Sequence, residues 1–268
     1  MPIITLTTDF GTKDFFVAAV KGAILSRIEK AKIIDISHKI RPHNIYEGAY
    51  VLKNAAQYFP KKTIHLIGIS SEFNPGKPFL VCEYKNQYYI GSDTGIFSLL
   101  FNLEKPYKAI EINQNLEAKH TTFPVVDIFV TVACHLYKGG ELNVIGKPLK
   151  NINILSQLTP TISDDDRKLN GSIVYIDNYG NSISNITQDL FETIKKGRRF
   201  QIVLPAKHII YKIHKNYNQV LNEGKEVAVF NSSGLLEIAM YKGDKRGAGN
   251  ASTLLGLQVN SILRIEFL

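Results

Sequence analysis

Only two cysteines occur in the 268 residues, Cys82 and Cys134. They lie far apart in apolar surroundings and form no C-x-x-C pair. Reduced core cysteines in an intracellular protein are expected, with no disulfide framework. No uninterrupted apolar run approaches the roughly 20 residues of a membrane-spanning helix. The N-terminus carries no basic region or cleavage site and begins with a strand-like stretch. The expectation is a soluble, cytoplasmic protein with no membrane partner. There is no Walker loop, no G-x-G-x-x-G, no H-E-x-x-H and no G-x-S-x-G. The histidines, His38, His43, His65, His120, His135, His208 and His214, are dispersed. No spacing among them suggests zinc, so neither a metal nor a cofactor is expected. No internal repeat is visible, and a concentrated basic arm is missing too. The net charge is +8 and the pI about 9.2, but the cations are scattered into short pairs such as Lys61-Lys62, Lys195-Lys196 and Arg198-Arg199. Nucleic-acid binders cluster such charge on one face or helix, so a solvated surface is expected and no nucleic-acid partner.

What is present is a composition able to bury a core: 44% hydrophobic and 21% charged residues, outside the disordered range. The first part alternates strand and helix patterns. Ile3 to Thr8 and Ala31 to Ser37 read as strands on either side of a helix starting at Phe15. Ile45 to Phe59 has helical spacing, with Ile45, Ala49, Leu52, Ala56 and Phe59 on one face, and Pro60 ends it. Thr63 to Ile69 is a strand, and Ser70 to Lys77 a loop. Phe79 to Tyr84 and Gln87 to Ile90 form a hairpin across Lys85-Asn86. Ile96 to Phe101 is a short helix, Tyr107 to Ile112 a strand, and Val126 to Tyr137 a helix stopped by Gly139-Gly140. This alternation predicts a layered, mostly parallel sheet with helices on its faces, over residues 1–155. A composition shift marks residues 156–168 as a linker, with Ser163-Asp164-Asp165-Asp166 read as its solvated polar run. Residues 169–268 are rich in short strands: Gly171–Ile176, Phe200–Leu204, His208–Ile213, Glu226–Asn231, Leu235–Tyr241 and Ser261–Phe267. With one helix at Gln188–Lys195, they predict a smaller, mostly antiparallel β domain. The fold class is therefore α/β followed by antiparallel β.

The stretch Thr7-Thr8-Asp9-Phe10-Gly11-Thr12-Lys13-Asp14 closes the first strand. Gly11 permits backbone angles other residues resist, and Asp14 stands where it can cap the first helix. In open α/β sheets ligands bind at the carboxyl ends of strands, which is where Asp9 lies. On pattern alone, Asp9 and Asp14 read equally as braces of the turn and as ligand groups. Further polar turns close other strands: Asp93-Thr94-Gly95, Asp177-Asn178-Tyr179-Gly180-Asn181, and Asn231-Ser232-Ser233-Gly234. In the second of these, a carboxylate and an amide flank an aromatic ring, a pairing suited to hydrogen bonding and stacking on a flat ligand.

Taken in order, these segments resemble the S-adenosylmethionine hydroxide adenosyltransferase family, which includes the adenosyl fluorinase and chlorinase. The likeness rests on the T-D-F-G-x-x-D opening, the I-S-H ending the second strand, D-x-G-I-F-S, T-F-x-x-x-D-I-F, I-D-x-Y-G-N and N-S-S-G-x-L-E-I-A. It covers nearly the whole chain. The resemblance implies a homotrimer with each small-molecule site between the N-terminal domain of one subunit and the C-terminal domain of the next. It implies that Asp9 holds the ribose diol, as a carboxylate accepting from two hydroxyls can, and that Asp14 lies beside the sugar and the methionine part. By the same likeness Asp177 contacts the methionine amino group, Tyr179 and Asn181 lie beside adenine, Ser232 and Ser233 hold the methionine carboxylate, and His43 stands in the pocket wall. The reaction implied is attack of water, or a halide in the halogenases, at the 5′ carbon of S-adenosylmethionine, expelling methionine.

The sequence departs from the family where water is activated. The usual V-D-P-G-V-G-T-x-R loop is here Ile69-Ser70-Ser71-Glu72-Phe73-Asn74-Pro75-Gly76-Lys77. The aspartate position falls on Ile69 or Ser70 and the arginine position on Gly76, beside Lys77. T-F-H-G-R-D becomes Thr122-Phe123-Pro124-Val125-Val126-Asp127, with Pro124 in the histidine position. Glu72, Ser70 and Lys77 are the candidate replacements, although Lys does not reproduce an arginine fork. Two readings share the pocket: an enzyme cleaving S-adenosylmethionine with water to adenosine and methionine, or an inactive or altered adenosyl-ligand-binding protein. An adenosyl-group enzyme using another nucleophile ranks third, and a basic nucleic-acid binder last. The stretch 242–250, longer and more basic than the family's short turn, reads as a surface loop.

Overall fold

The structure is a computed structural model and describes residues 2–102, 107–113, 121–205, 208–220, 222–243 and 249–268. His120 and residues 244–248 of the basic loop lie outside the described residues. The chain divides into two compact units, Met1–Ser156 and Gln157–Leu268. No helix among the described residues is long and apolar enough to cross a membrane.

The first unit is α/β. Its elements are β1 (Ile3–Thr8), α1 (Phe16–Leu25), β2 (Lys32–Ser37), α2 (Ile45–Ala56), β3 (Ile64–Gly68), β4 (Phe79–Tyr84), β5 (Gln87–Ser92), α3 (Ile96–Phe101), β6 (Tyr107–Ile112), α4 (Val130–Tyr137) and β7 (Gly146–Pro148). They build one sheet in the order β2-β1-β3-β5-β4-β6-β7. Strands β2, β1, β3 and β5 run parallel, with Leu6 opposite Leu66 and Leu66 opposite Ile90. Strands β4, β6 and β7 extend the sheet antiparallel. The β4–β5 turn places Lys85 at φ +49° and Asn86 at +61°, the paired left-handed geometry that matches strand twist in a two-residue hairpin.

Both faces of the sheet are covered. Ile4, Leu6, Ile64, Leu66, Phe79 and Val81 pack with Val20 and Ile24 of α1, Ala133 of α4 and Phe129 just before it. On the other face Ile67, Leu80 and Cys82 pack with Ala49, Leu52, Phe97 and Phe101 of α2 and α3. Burial on both sides is why β1 and β3 read as continuous apolar, β-branched runs. Each fully buried large apolar side chain contributes about 1.5–3 kcal/mol, so this layering fixes where the strands end.

The second unit holds β8 (Thr161–Ile162), β9 (Lys168–Ile176), β10 (Ser182–Thr187), α5 (Gln188–Lys195), β11 (Phe200–Val203), β12 (Ile209–Ile210), β13 (Ile213–His214), β14 (Glu226–Phe230), β15 (Leu235–Met240), α6 (Ala251–Leu254) and β16 (Ile262–Phe267). Its sheet runs β12-β11-β16-β9-β10-β15-β14-β13, with β8 on β9. All pairings are antiparallel except β13 with β14. Phe191 of α5 is the aromatic centre of its core, meeting Phe200, Phe230 and Phe267 at 5.0–5.9 Å.

Several local expectations are corrected. Asp14 does not cap α1: the N-cap is Phe15, and no side chain bonds the first turn. An N-cap oxygen reaches the second or third helical N–H, and Asp14 lies one residue too early. The helix expected from Val126 begins as a π-helix over Val125–Phe129 before becoming α4. The acidic run Ser163–Asp166 closes the β8–β9 hairpin and is not a free linker: Asp165 Oδ1 accepts from Ser163 Oγ and Arg167 N, and Ser163 N donates to Lys168 O. The single strand expected at His208–Ile213 is two, β12 and β13, divided at Tyr211-Lys212. Strand β10 escaped the pattern because Ser182, Ser184 and Asn185 dilute its apolar alternation.

Candidate functional site

The carboxyl ends of β1, β2 and β3 converge on Asp9. Thr8 ends β1 with its Oγ1 2.8 Å from His38 Nδ1, both side chains buried. Behind His38, its Nε2 lies 3.2 Å from Asp35 Oδ1, and Lys21 Nζ meets Asp35 Oδ2 at 2.6 Å. Burial acts to raise the Asp35 pKa, but hydrogen bonds and charge from Lys21 and His38 outweigh it and the carboxyl ends below its ordinary value. The turn beyond Thr8 is pinned on both sides. Asp9 N donates to Gly68 O at 3.2 Å, and Gly11 N donates to His38 O at 2.7 Å. Gly11 has φ +71°, which a Cβ would penalise.

So held, the Asp9 carboxylate turns toward the loops that follow β2 and β3. Oδ2 accepts from His43 N at 2.9 Å and from Ser70 N at 3.5 Å. Both donors sit in left-handed backbone, His43 at φ +62° and Ser70 at +44°. Such angles cost of order 1–3 kcal/mol in non-glycine residues and persist where surroundings impose them. Here the shared carboxylate is one such constraint. Asn44, which caps α2 by accepting from Glu47 N, is another. The side chains meet as well: His43 Nδ1 is 3.0 Å from Ser70 Oγ and 3.9 Å from Glu72 Oε1. With Oδ2 occupied, Oδ1 has no protein partner among the described residues and is free to accept from a ligand.

Phe10 roofs this corner. It lies 5.8 Å from Phe16 and 5.7 Å from Phe123, and Phe16 and Phe123 meet edge-on at 5.4 Å. The T-D-F-G and T-F-P-V-V-D segments are therefore in contact through their aromatic residues. Pro124 is the N-cap of the π-helix. Thr121 Oγ1 donates to Asp127 and also accepts from Phe123 N.

Among the remaining predicted residues of this unit, Asp14 is exposed. Lys77 is exposed too, bridged through its backbone to Asn74, and forms no ion pair among the described residues. The structure thus joins Asp9, His43, Ser70 and Glu72 but does not bring the Lys77 ammonium to them. Asp93 is a different kind of residue: only 2% exposed, it accepts from Asn153 N through Oδ2 at 2.8 Å. Burial raises its pKa, opposed by backbone hydrogen bonds from Asn153 and Gly95. It belongs to the closure of the sheet beneath the Asn153 segment.

In the second unit the I-D-x-Y-G-N turn is self-braced. Asp177 accepts from Asn181 N at 2.9 Å and Asn181 Nδ2 at 3.1 Å. Tyr179 projects with 69% exposure. Gly180, at φ +83°, lies against Asn250, and a Cβ there would overlap the Asn250 side chain. The N-S-S-G turn is built likewise: Asn231 Oδ1 accepts from Ser233 N and Leu235 N, and Asn231 Nδ2 donates to Glu237 Oε2. Tyr217 OH donates to the other Glu237 oxygen at 2.7 Å. Ser232 is exposed and Ser233 half-buried. Sequence reasoning missed Asn153 and Tyr217, which no local pattern marks, and Asn250, whose contact with Gly180 lies far away in the chain. Among the described residues no group of three His, Cys, Asp or Glu side chains is gathered as a metal site would require.

Comparison with known proteins places the chain in a family. The N-terminal domain of SAM hydroxide adenosyltransferase matches residues 4–146, and the C-terminal domain of the same family matches residues 171–264. A (R)-S-adenosyl-L-methionine hydrolase from Methanocaldococcus jannaschii is 34% identical, over 96% of this chain and 93% of that protein. One of the same name from Thermus thermophilus is 25% identical, over 90% and 92%. The crystal structure of an uncharacterized conserved protein from Thermotoga maritima superposes with a TM-score of 0.84 at 26% identity, covering 98% of this chain and 99% of that one. The chain belongs to the SAM hydroxide adenosyltransferase family.

Proposed function

We propose that this protein cleaves S-adenosylmethionine with water, giving adenosine and methionine. The observation that carries the reading is the Asp9 carboxylate: one oxygen held by the His43 and Ser70 amides, the other open, at the carboxyl ends of parallel strands. A fixed anion of this kind suits the vicinal hydroxyls of ribose. The names of the relatives from Methanocaldococcus and Thermus support the same reaction. In this reading Asp14 lies beside the sugar and methionine, Asp177 meets the methionine amino group, Tyr179 and Asn181 flank adenine, and Ser232 and Ser233 receive the methionine carboxylate.

The chemistry is an in-line displacement. Water attacks the 5′ carbon, the carbon–sulfur bond breaks, and the sulfonium leaves as the neutral thioether of methionine. Because the leaving group is already cationic, no cofactor is required. The protein must align water, strip its surplus shell and accept its proton. Ser70 and Glu72 stand beside Asp9 where the family's usual set is replaced, and Lys77 follows in the same loop. We further propose a cytoplasmic homotrimer with sites shared between subunits, in keeping with two buried free thiols.

Incubation with S-adenosylmethionine, followed by chromatography, is expected to yield adenosine and methionine in equal amounts. Binding by calorimetry without turnover would favour the inactive adenosyl-binding reading, and absence of both would overturn the pocket. Light scattering should report three chains per particle.

A further inference from the structure

The position that the resemblance gives to a pocket wall carries a titratable ring. His43 is tied by its backbone to Asp9 and by its side chain to Ser70 and Glu72. We propose that His43 is the group that takes the proton from the attacking water. This rests on the proposed hydrolysis of S-adenosylmethionine.

Asp9 Oδ2 accepts from both His43 N and Ser70 N, so one carboxylate sets the spacing of the two loops. That spacing brings His43 Nδ1 to 3.0 Å from Ser70 Oγ, with Glu72 Oε1 at 3.9 Å behind. In the tautomer where Nδ1–H donates to Ser70 Oγ, the lone pair resides on Nε2, which has no protein partner among the described residues. An imidazole with one nitrogen anchored and the other open is the arrangement a general base needs. Ser70 itself is a poor base, and the Glu72 carboxylate at 3.9 Å is near enough to offset part of the charge the ring gains. A ribose clamped through its 2′ and 3′ hydroxyls carries its 5′ carbon two bonds from the 3′ carbon, so the reacting carbon lies close to the clamp that positions His43.

The step balances. A water oxygen forms a bond to the 5′ carbon as the carbon–sulfur bond breaks, and its electron pair stays on the methionine sulfur. The water proton passes to His43 Nε2 and then to solvent. The charged groups around the ring are Asp9 on the turn after β1 and Glu72 on the loop after β3. On its own segment Arg41 is already paired with Glu47 of α2 at 2.5 Å.

The test uses the full-length protein. His43→Asn suits the left-handed backbone at this position and should fold as the native chain does. It should lower kcat for S-adenosylmethionine about 100-fold, with KM changed less than about threefold. The wild-type rate should rise with pH to a plateau, and the variant should lack that rise. His43→Gly, which also tolerates the positive φ, should regain turnover with added imidazole in proportion to the free base. Unchanged kcat and pH profile in His43→Asn, an effect confined to KM, or no imidazole rescue would each overturn the assignment while leaving hydrolysis intact. A wild-type protein with no turnover would instead overturn the hydrolysis reading and this inference with it.

Discussion

The Asp9 carboxylate accepts the backbone N–H of His43 at 2.9 Å across 34 residues of sequence. The bond makes Asp9 a brace between loops, and the oxygen it uses is not the one left open for the proposed ribose contact. Removing the side chain should therefore do two things. Asp9→Ala should weaken S-adenosylmethionine binding by about 10- to 100-fold, the worth of hydrogen bonds to a charged acceptor. It should also release the left-handed turns at His43 and Ser70. Calorimetry against adenosine and S-adenosylmethionine measures the first effect; equal affinity in the variant would remove Asp9 from the site.

A pH dependence of stability should come from His65, whose side chain is fully buried. Its Nδ1 is 2.7 Å from Thr5 Oγ1, and its ring stacks on Tyr89 at 4.7 Å. Burial lowers its pKa from 6.5 to about 4, with Gln87 opposing. As pH falls the unfolded chain takes up this proton first. The contribution is therefore complete above about pH 6.5 and fades toward pH 4, by on the order of 3 kcal/mol. Urea unfolding across that window should show the decline, and His65→Gln should flatten it. An equal slope in the variant would assign the effect elsewhere.

Gly180→Ala should destabilise the second unit by about 1–3 kcal/mol, since it combines a positive φ with the Asn250 overlap. Asn250 also forms a capping box with Thr253 at the start of α6, so displacing it frees a helix end. Urea denaturation followed by circular dichroism is the measurement; a midpoint within error of the native value would mean that the turn can shift without cost.

Phe10 and Phe123 should be energetically coupled. An edge-on aromatic pair contributes about 0.5–1.5 kcal/mol beyond buried area. A double-mutant cycle of Phe10→Leu and Phe123→Leu should return a value in that range. Simple additivity would show that the two motifs merely adjoin.

The α/β then antiparallel β organisation was legible because β1, β3, β4 and α2 carry strong periodic signals, and the turn residues between them are unambiguous. The candidate groups Asp9, Asp177 and Asn231 were legible as strand-ending polar turns. Others were not, for physical reasons. The π-helical start at Val125 is a backbone hydrogen-bonding choice that apolar spacing does not encode. The Asp165 turn looks like solvated linker until its hairpin partner is known. That His43 meets Ser70 depends on a bond from a third loop, which no spacing within either segment encodes.

The strands β12 and β13 are separated only by Tyr211 and Lys212, yet they stand at opposite ends of the hydrogen-bonding path of the second sheet. The path therefore comes back on itself, in the manner of a barrel, and among the described residues its two ends are strands of only two residues, which offer little edge for another chain to extend. In the first sheet, one margin is the three-residue β7, which ends at Pro148, and the other is β2, which carries Lys32 and Asp35. Short, proline-stopped or charged margins resist strand addition. Among the described residues these margins disfavour strand addition between copies, which leaves side-chain surfaces as the route to association, open to point mutation without disturbing either sheet.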